Sequence, residues 1–173
     1  MYPQEYIEYL VHFHGDRDYF ECHEVLEEYW KKVDKSNKNS VLVGFILLAV
    51  SNYHHRRGNF SGAARTLKKA ITIFQQHDLE PYGLAENEFM LLLKKRLIEM
   101  EEHQEYTSIN FPINDSSLIA SCKKACEQKG LSWSVSSDLS NDEIVHRHLL
   151  RDRSEVIQER ANALKFKQTK DSE

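Results

Sequence analysis

The stretch FECHEVLEEYW, residues 20–30, combines large apolar side chains with one histidine and four glutamates. At about 100° per residue, Leu26 and His23 fall on one arc of a helix, and the glutamates lie along the borders of that arc. Just upstream, Asp18 and Glu21 have the spacing of a capping box, in which the first side chain accepts from free backbone N–H groups. The stretch therefore predicts an amphipathic helix that begins near Asp18.

Helical periodicity continues on both sides of this stretch. Gly15 ends a preceding helix, and the polar loop DKSNKNS separates the central helix from an apolar one over residues 41–57. Gly58 and the following asparagine introduce a fourth helix, and a fifth follows EPYG. The sequence predicts an all-α fold, a compact bundle of about five helices over residues 1–106.

The composition changes after Tyr106. INFPI is typical of an extended segment, SSLIASCKKACEQKG of a short helix ended by Gly130, and LSWSV alternates as a half-buried strand does. A final charged helix is predicted from about Glu143 to Lys165. We therefore expect residues 107–173 to form a C-terminal appendage of short strands and a helix, followed by that charged helix.

Composition limits the classes of function. The chain has 173 residues, 40% of them hydrophobic, and a formal net charge of −4, as expected for a globular protein with a real core. It has no basic tract, so nucleic acid is not the expected partner. The longest apolar run, Val41 to Val50, is too short to span a bilayer. We expect a cytoplasmic protein with no membrane partner.

The three cysteines, Cys22, Cys122 and Cys126, fit a reducing compartment, because an odd count without paired spacing is not a disulfide framework. Cys122 and Cys126 are four residues apart, as a metal half-site or redox pair would require. Small buried core residues are the stronger interpretation, because no second cysteine pair completes a zinc site.

A polar cluster is the candidate site. His23 and Glu27 are four residues apart on the predicted central helix, at the border of its apolar face. His54 lies in the last turn of the next, apolar helix. If these two helices form an antiparallel hairpin, His54 meets His23, Glu24 and Glu27.

These residues resemble the signature blocks of a known family, the domain of unknown function numbered 309, over about residues 16–74. The family pattern is F-x-E-x-H-E-x-L-E-x-x-W, then G-L-I-Q, a histidine and G-N-x-x-G-A, and its glutamine falls on Leu47 here. The resemblance implies a compact all-helical domain, and the family carries the label of a predicted metal-dependent hydrolase. The matching positions are Phe20, His23, Glu24, Leu26, Glu27, Trp30, His54, Gly58, Asn59, Gly62 and Ala63.

Three functions fit the pattern. The polar cluster is either a buried structural network or small binding site, or a site for a divalent metal such as zinc, manganese or iron that activates water for hydrolysis. The third is an interaction module, because one helical hairpin has the spacing of a tetratricopeptide repeat. The residues of that spacing are Leu47, Ser51, His54, Gly58, Phe60, Ala63, Leu67 and Ala70.

The partner stays open between a small molecule and a protein, and the chain is expected to form a homodimer through its amphipathic C-terminal helix. In that helix Arg147, Arg151 and Arg153 form either a phosphate or acidic-partner site or a solvated face; the interspersed acidic residues favour the solvated face.

Overall fold

The computed structural model describes residues 1–147, 161, 162, 164 and 165. Seven α-helices and one 3₁₀ turn, Glu80–Tyr82, form this part of the chain. The helices are α1 (Gln4–His14), α2 (Tyr19–Val33), α3 (Val41–Arg56), α4 (Phe60–Phe74), α5 (Glu86–Glu101), α6 (Ser116–Gln128) and α7 (Asp142–Val145). The predicted all-α class and the five helices of residues 1–106 are thus confirmed. None of these helices is long and apolar enough to cross a membrane.

Side-chain caps begin three of the central helices where the sequence places them. Asp18 accepts from the backbone N–H of Glu21 at the start of α2, and Ser40 accepts from Leu42 at the start of α3. Asn59 caps α4 in the same way. Each cap satisfies a backbone donor that a helix leaves free in its first turn, which fixes the register of the apolar face that follows.

An aromatic core lies where α1, α3 and α5 meet the chain after α5. Phe45 of α3 is fully buried and contacts Tyr9, Phe89 and Phe111 with ring centroids 5.7–6.4 Å apart. Phe13 stands 4.5 Å from Phe111. Rings of this size bury large apolar areas, so the core depends on both the bundle and residue 111.

Helices α3 and α4 form a close antiparallel hairpin. A Cβ on Gly44 would stand 2.8 Å from the Phe74 ring, so only glycine fits there without a shift. Farther along, the Ser51 hydroxyl donates to the Ala63 carbonyl at 2.8 Å. This hairpin has the close packing that the tetratricopeptide-like spacing predicts.

The predicted C-terminal strands are wrong. In the described part of the chain, residues 107–147 contain no strand, and the only ladder contact is an isolated bridge between Ile113 and Leu84. LSWSV turns at Trp133 and Ser134, and Ser134 has a positive φ of 64°. The Val135 carbonyl accepts from Arg17 rather than from a neighbouring strand. Leu131 and Trp133 pack on the core here through a turn, while the Val135 side chain is exposed.

Helix α6 is confirmed and packs on α1, burying Leu118, Cys122 and Cys126. The three cysteines are free and buried, and burial raises the pKa of the Cys122 thiol to about 12. They are therefore small core residues. Most of the predicted final helix, with Arg151 and Arg153, lies outside the described residues, and the domain division at residue 106 stays a prediction.

Candidate functional site: the α2 polar cluster and the α3–α4 groove

The polar cluster on α2 forms within one helix. His23 Nε2 lies 2.7 Å from Glu27 Oε2, and His23 Nδ1 lies 3.7 Å from Glu24 Oε1. Lys31, one turn farther on, pairs with the other oxygen of Glu27 at 3.0 Å. The His23 hydrogen bond is the main reason that the pKa of Glu27 falls to about 2. The cluster is a ladder of side chains four residues apart on a half-exposed face.

His54 has a different neighbour. Asn59 Nδ2 stands 3.3 Å from His54 Nδ1, and because Asn59 Oδ1 accepts from the Gly62 N–H, the amide nitrogen is the donor to the ring. Burial first, and then Arg57 and Arg65, lower the pKa of His54, which agrees with an unprotonated Nδ1. Among the described residues no hydrogen bond or ion pair joins His54 to His23 or Glu27. The structure thus brings His23, Glu24 and Glu27 together and gives His54 a separate role.

The orientation of α3 explains this separation. Tyr53 contacts Phe20 of α2 with centroids 6.3 Å apart, and Arg56 lies over the ring of Tyr19. Those two positions face α2, whereas Ser51 bonds α4 and shares a face with His54. Within the described ranges, no group of three or more His, Cys, Asp or Glu side chains is arranged to hold a metal ion. The metal site stays a prediction.

Comparison with known proteins gives the family. A family model described as "Domain of unknown function (DUF309)" matches residues 6–66. "Uncharacterized protein YpuF" of Bacillus subtilis (strain 168) is 44% identical over 162 residues, which cover 92% of this chain and 93% of that protein. The chain belongs to the DUF309 family. No solved structure matches it.

The second DUF309 block builds the α3–α4 turn. Gly58 adopts a positive φ of 76°, and Asn59 then caps α4. A Cβ on Gly62 would meet the Asn59 amide at 2.6 Å, so glycine leaves room for that cap. His54 accepts a hydrogen bond from the nitrogen of the same amide. These DUF309 residues form a hydrogen-bonded turn that sets the angle of the hairpin.

Three buried arginines form a second centre that the sequence analysis did not predict. We call Arg17, Arg56 and Arg96 the arginine cluster; their residues are 1%, 9% and 1% exposed. Arg17 donates to the carbonyls of Ile109 and Val135. Backbone carbonyls of the segment after α5 therefore accept from Arg17, and this arginine fastens that segment to the bundle.

The rest of the arginine cluster surrounds one aromatic ring. Arg56 and Arg96 both lie over Tyr106, at 5.9 and 5.2 Å from its centroid. Arg96 also donates to Thr107, and Arg56 donates to the Ser137 hydroxyl at 2.9 Å. The signal for this cluster in the sequence was an arginine in the last turn of the largely apolar α3. The backbone groups that accept hydrogen bonds from the cluster have no sequence signature.

A groove on the outer side of the α3–α4 hairpin is a further candidate site. Its volume is about 460 Å³. Val43 and Leu47 of α3 and Ile73 of α4 form an apolar floor, and Lys38 and Lys69 stand on the rim. We call this the lysine-rimmed groove, whose remaining lining residues are Asn39, Lys68 and Thr72. Leu47, the position of the DUF309 glutamine, makes this floor more apolar than the family pattern implies.

Proposed function

We propose that this DUF309 protein is a protein-interaction module whose lysine-rimmed groove docks an amphipathic acidic helix of a partner protein. The observation that carries the proposal is the combination of an apolar floor with a cationic rim in one open groove. Helix-in-groove recognition places apolar side chains one turn apart on a floor of this kind. The proposal retains the cytoplasmic location predicted from the sequence.

Charge on the rim selects the class of partner. Lys68 is paired with Glu101 at 3.1 Å, whereas Lys38 and Lys69 form no ion pair with any described residue. Their ammonium groups are exposed and remain available to carboxylates beside the apolar stripe of an incoming helix. Such rim charges raise the association rate and exclude basic partners more than they add affinity.

The floor supplies the binding energy. Leu47 and Val43 are four residues apart on α3, so they present adjacent, half-exposed surfaces to one face of a bound helix. Burial of apolar area contributes roughly 25 cal/mol per Å² before the costs of association. A micromolar affinity is the appropriate expectation for a site of this size.

Two synthetic helical peptides test the proposal. Both carry leucines at positions i, i+4 and i+7; one is flanked by glutamates and the other by lysines. We expect the acidic peptide to bind the full chain, measured by fluorescence anisotropy, with shifts of Leu47 and Ile73 methyl signals in NMR. Binding should weaken as salt screens the rim. Equal binding of the two peptides, or shifts away from the groove, would reject the proposal.

Matched variants locate the binding. Leu47→Gln, which restores the family residue, should weaken the acidic peptide by about tenfold through loss of apolar contact. Lys69→Glu should weaken it by about fivefold and reduce its dependence on salt. Lys95→Glu on α5 makes the same charge change at an exposed position outside the groove and should have no effect.

A further inference from the structure

A separate pocket opens between the start of α1, the end of α2 and the 3₁₀ turn. Its volume is about 270 Å³. Three tyrosines and one carboxylate dominate it: Tyr6, Tyr29, Tyr82 and Asp34. We call this the tyrosine pocket, and its other lining residues are Pro3, Val33, Ser40 and Leu42. None of the lining residues is basic, in contrast with the lysine-rimmed groove.

The aromatic walls are held in fixed positions. The rings of Tyr6 and Tyr82 have centroids 5.6 Å apart and stand nearly perpendicular, at 83°. The Tyr6 hydroxyl donates to the Tyr82 carbonyl at 2.8 Å, and the Tyr6 ring packs on Phe45 at 5.4 Å. Tyr6 is buried and Tyr82 is half-buried, so the Tyr82 ring supplies the aromatic surface that an occupant of the pocket contacts.

One carboxylate, Asp34, lines the same pocket. Tyr29 and Asp34 line this pocket together with Tyr82, and burial first, then these two groups, raise the pKa of Tyr82. Asn37 donates to Asp34 Oδ2 at 3.1 Å, while no described residue donates to Asp34 Oδ1. A half-buried carboxylate with a free oxygen beside aromatic rings stabilises a cation and repels an anion.

We propose that the tyrosine pocket binds an organic cation, an ammonium group that carries alkyl or methyl substituents. The substituents contact the rings of Tyr29 and Tyr82, and Asp34 neutralises the charge. Cation–π contact over a ring of this kind contributes about 0.5–2 kcal/mol, depending on desolvation. A hydrated metal ion would gain little from the aromatic walls. This inference concerns a different set of lining residues and does not depend on the proposed function of the groove.

Choline and its neutral isostere 3,3-dimethyl-1-butanol test the charge requirement. They have the same shape and differ by one charge, so titration of the full chain followed by NMR isolates the contribution of the cation. We expect choline to shift signals of Tyr29, Val33 and Tyr82, and to bind at least about fivefold more tightly than the alcohol. Equal binding of the two compounds, or no binding of either, overturns the proposal.

Variants test the two parts of the site separately. Asp34→Asn and Tyr29→Leu should each weaken choline by about fivefold, while Tyr29→Phe should retain binding because the ring remains. Asp115→Asn is the matched control, since Asp115 accepts from the Tyr2 hydroxyl at 2.6 Å in a different pocket. Unchanged binding in Asp34→Asn would overturn the proposal. Circular dichroism checks that each variant is folded.

A peptide that carries trimethyllysine distinguishes the two sources of such a group. If it binds more tightly than choline and shifts the same signals, the natural occupant is a side chain of another protein. If it binds more weakly than choline at the same signals, the occupant is a small amine. Both results support an organic cation as the occupant. If the peptide instead shifts NMR signals of residues outside the tyrosine pocket, a protein side chain is not the occupant.

Discussion

His14 and Phe111, 97 positions apart in the chain, share a hydrogen bond in the core, where the Phe111 N–H donates to His14 Nε2 at 2.9 Å. His14 Nδ1 stands 2.9 Å from the Leu10 carbonyl one turn back, so the ring donates there and accepts from Phe111. This arrangement requires a neutral imidazole. Burial is the main cause that lowers the pKa of His14 to about 3.

The pKa of His14 predicts a loss of stability in mild acid. The unfolded chain binds a proton near pH 6.5 and the folded chain binds it only near pH 3, so the free energy of unfolding falls as the pH falls through this window. The contribution of this one group is about 1.4 kcal/mol per pH unit. Urea unfolding at several pH values should show His14→Gln to be less stable at pH 7 and less sensitive to acid.

His77→Gln is the control for that measurement. His77 lies near the surface, where Nε2 stands 2.6 Å from the Asn39 carbonyl. Its replacement should leave the acid dependence of the wild type between pH 6.5 and 3. An unchanged slope in His14→Gln would mean that other groups cause the loss of stability.

Glu27 predicts both a second acid effect and a pattern of coupling. Its pKa lies at about 2 in the folded chain, so its pairing with His23 stabilises the fold above pH 4.5 and is lost as the pH falls toward 2. A double-mutant cycle on His23→Gln and Glu27→Gln should give a coupling of about 0.2–0.5 kcal/mol at pH 7. The cycle on His54→Gln and Glu27→Gln should be additive within about 0.5 kcal/mol. Strong coupling in the second cycle would instead support the predicted contact between His54 and Glu27.

The predicted metal site can be tested directly. A site with His54 and the α2 ladder requires α3 to turn, because Tyr53 and Arg56 now face α2. We therefore expect elemental analysis of untagged protein to find no stoichiometric zinc, manganese or iron. One equivalent of metal, lost in both His23→Ala and His54→Ala, would establish the site instead.

The arginine cluster predicts a large effect at one position. Arg17→Leu leaves the carbonyls of Ile109 and Val135 and the side chain of Asn110 without their buried donor. The free energy of unfolding should fall by on the order of 3 kcal/mol, and limited proteolysis should cut faster after residue 106. Arg65→Leu on the exposed side of α4 makes the same change and should stay within about 0.5 kcal/mol of wild type.

Gly44 predicts the cost of separating α3 and α4. Gly44→Ala places a methyl group against the Phe74 ring and should destabilise the chain by about 1–3 kcal/mol through overpacking. Phe74→Leu removes the part of the ring that the methyl group meets, so the double variant should recover part of that loss. Simple addition of the two effects in thermal unfolding would show that the contact is not tight.

The bundle could be predicted from the sequence because its signals are local. Asp18, Ser40 and Asn59 are caps, and the glycines that follow α1 and α3 are where the helices end. The LSWSV strand failed for a distant reason, since Arg17 takes the Val135 carbonyl that a sheet would have used. Alternation of apolar residues does not indicate which hydrogen-bond donor will lie beside a backbone carbonyl.

The same distinction applies to the candidate site. His23 and Glu27 are neighbours by helical spacing alone, and their contact could be predicted. The position of His54 depends on the rotation of α3, which is set by Tyr53 and Arg56 of α3 packing against Phe20 and Tyr19 of α2. An antiparallel hairpin does not by itself fix the rotation of α3 about its own axis, so sequence spacing could not predict which residues face α2.

The hydrogen bond between Arg17 and the Val135 carbonyl can form only late in synthesis of the chain. These residues are 118 positions apart, so the ribosome makes Arg17 long before its acceptor exists. At about 5–20 residues per second, the guanidinium remains hydrated for several seconds while the helices around it form. A nascent chain in which α1 to α4 are complete therefore still has Arg17 without the carbonyls of Ile109 and Val135. A chaperone or partner that binds the chain at this point would meet a cationic side chain that the finished protein buries.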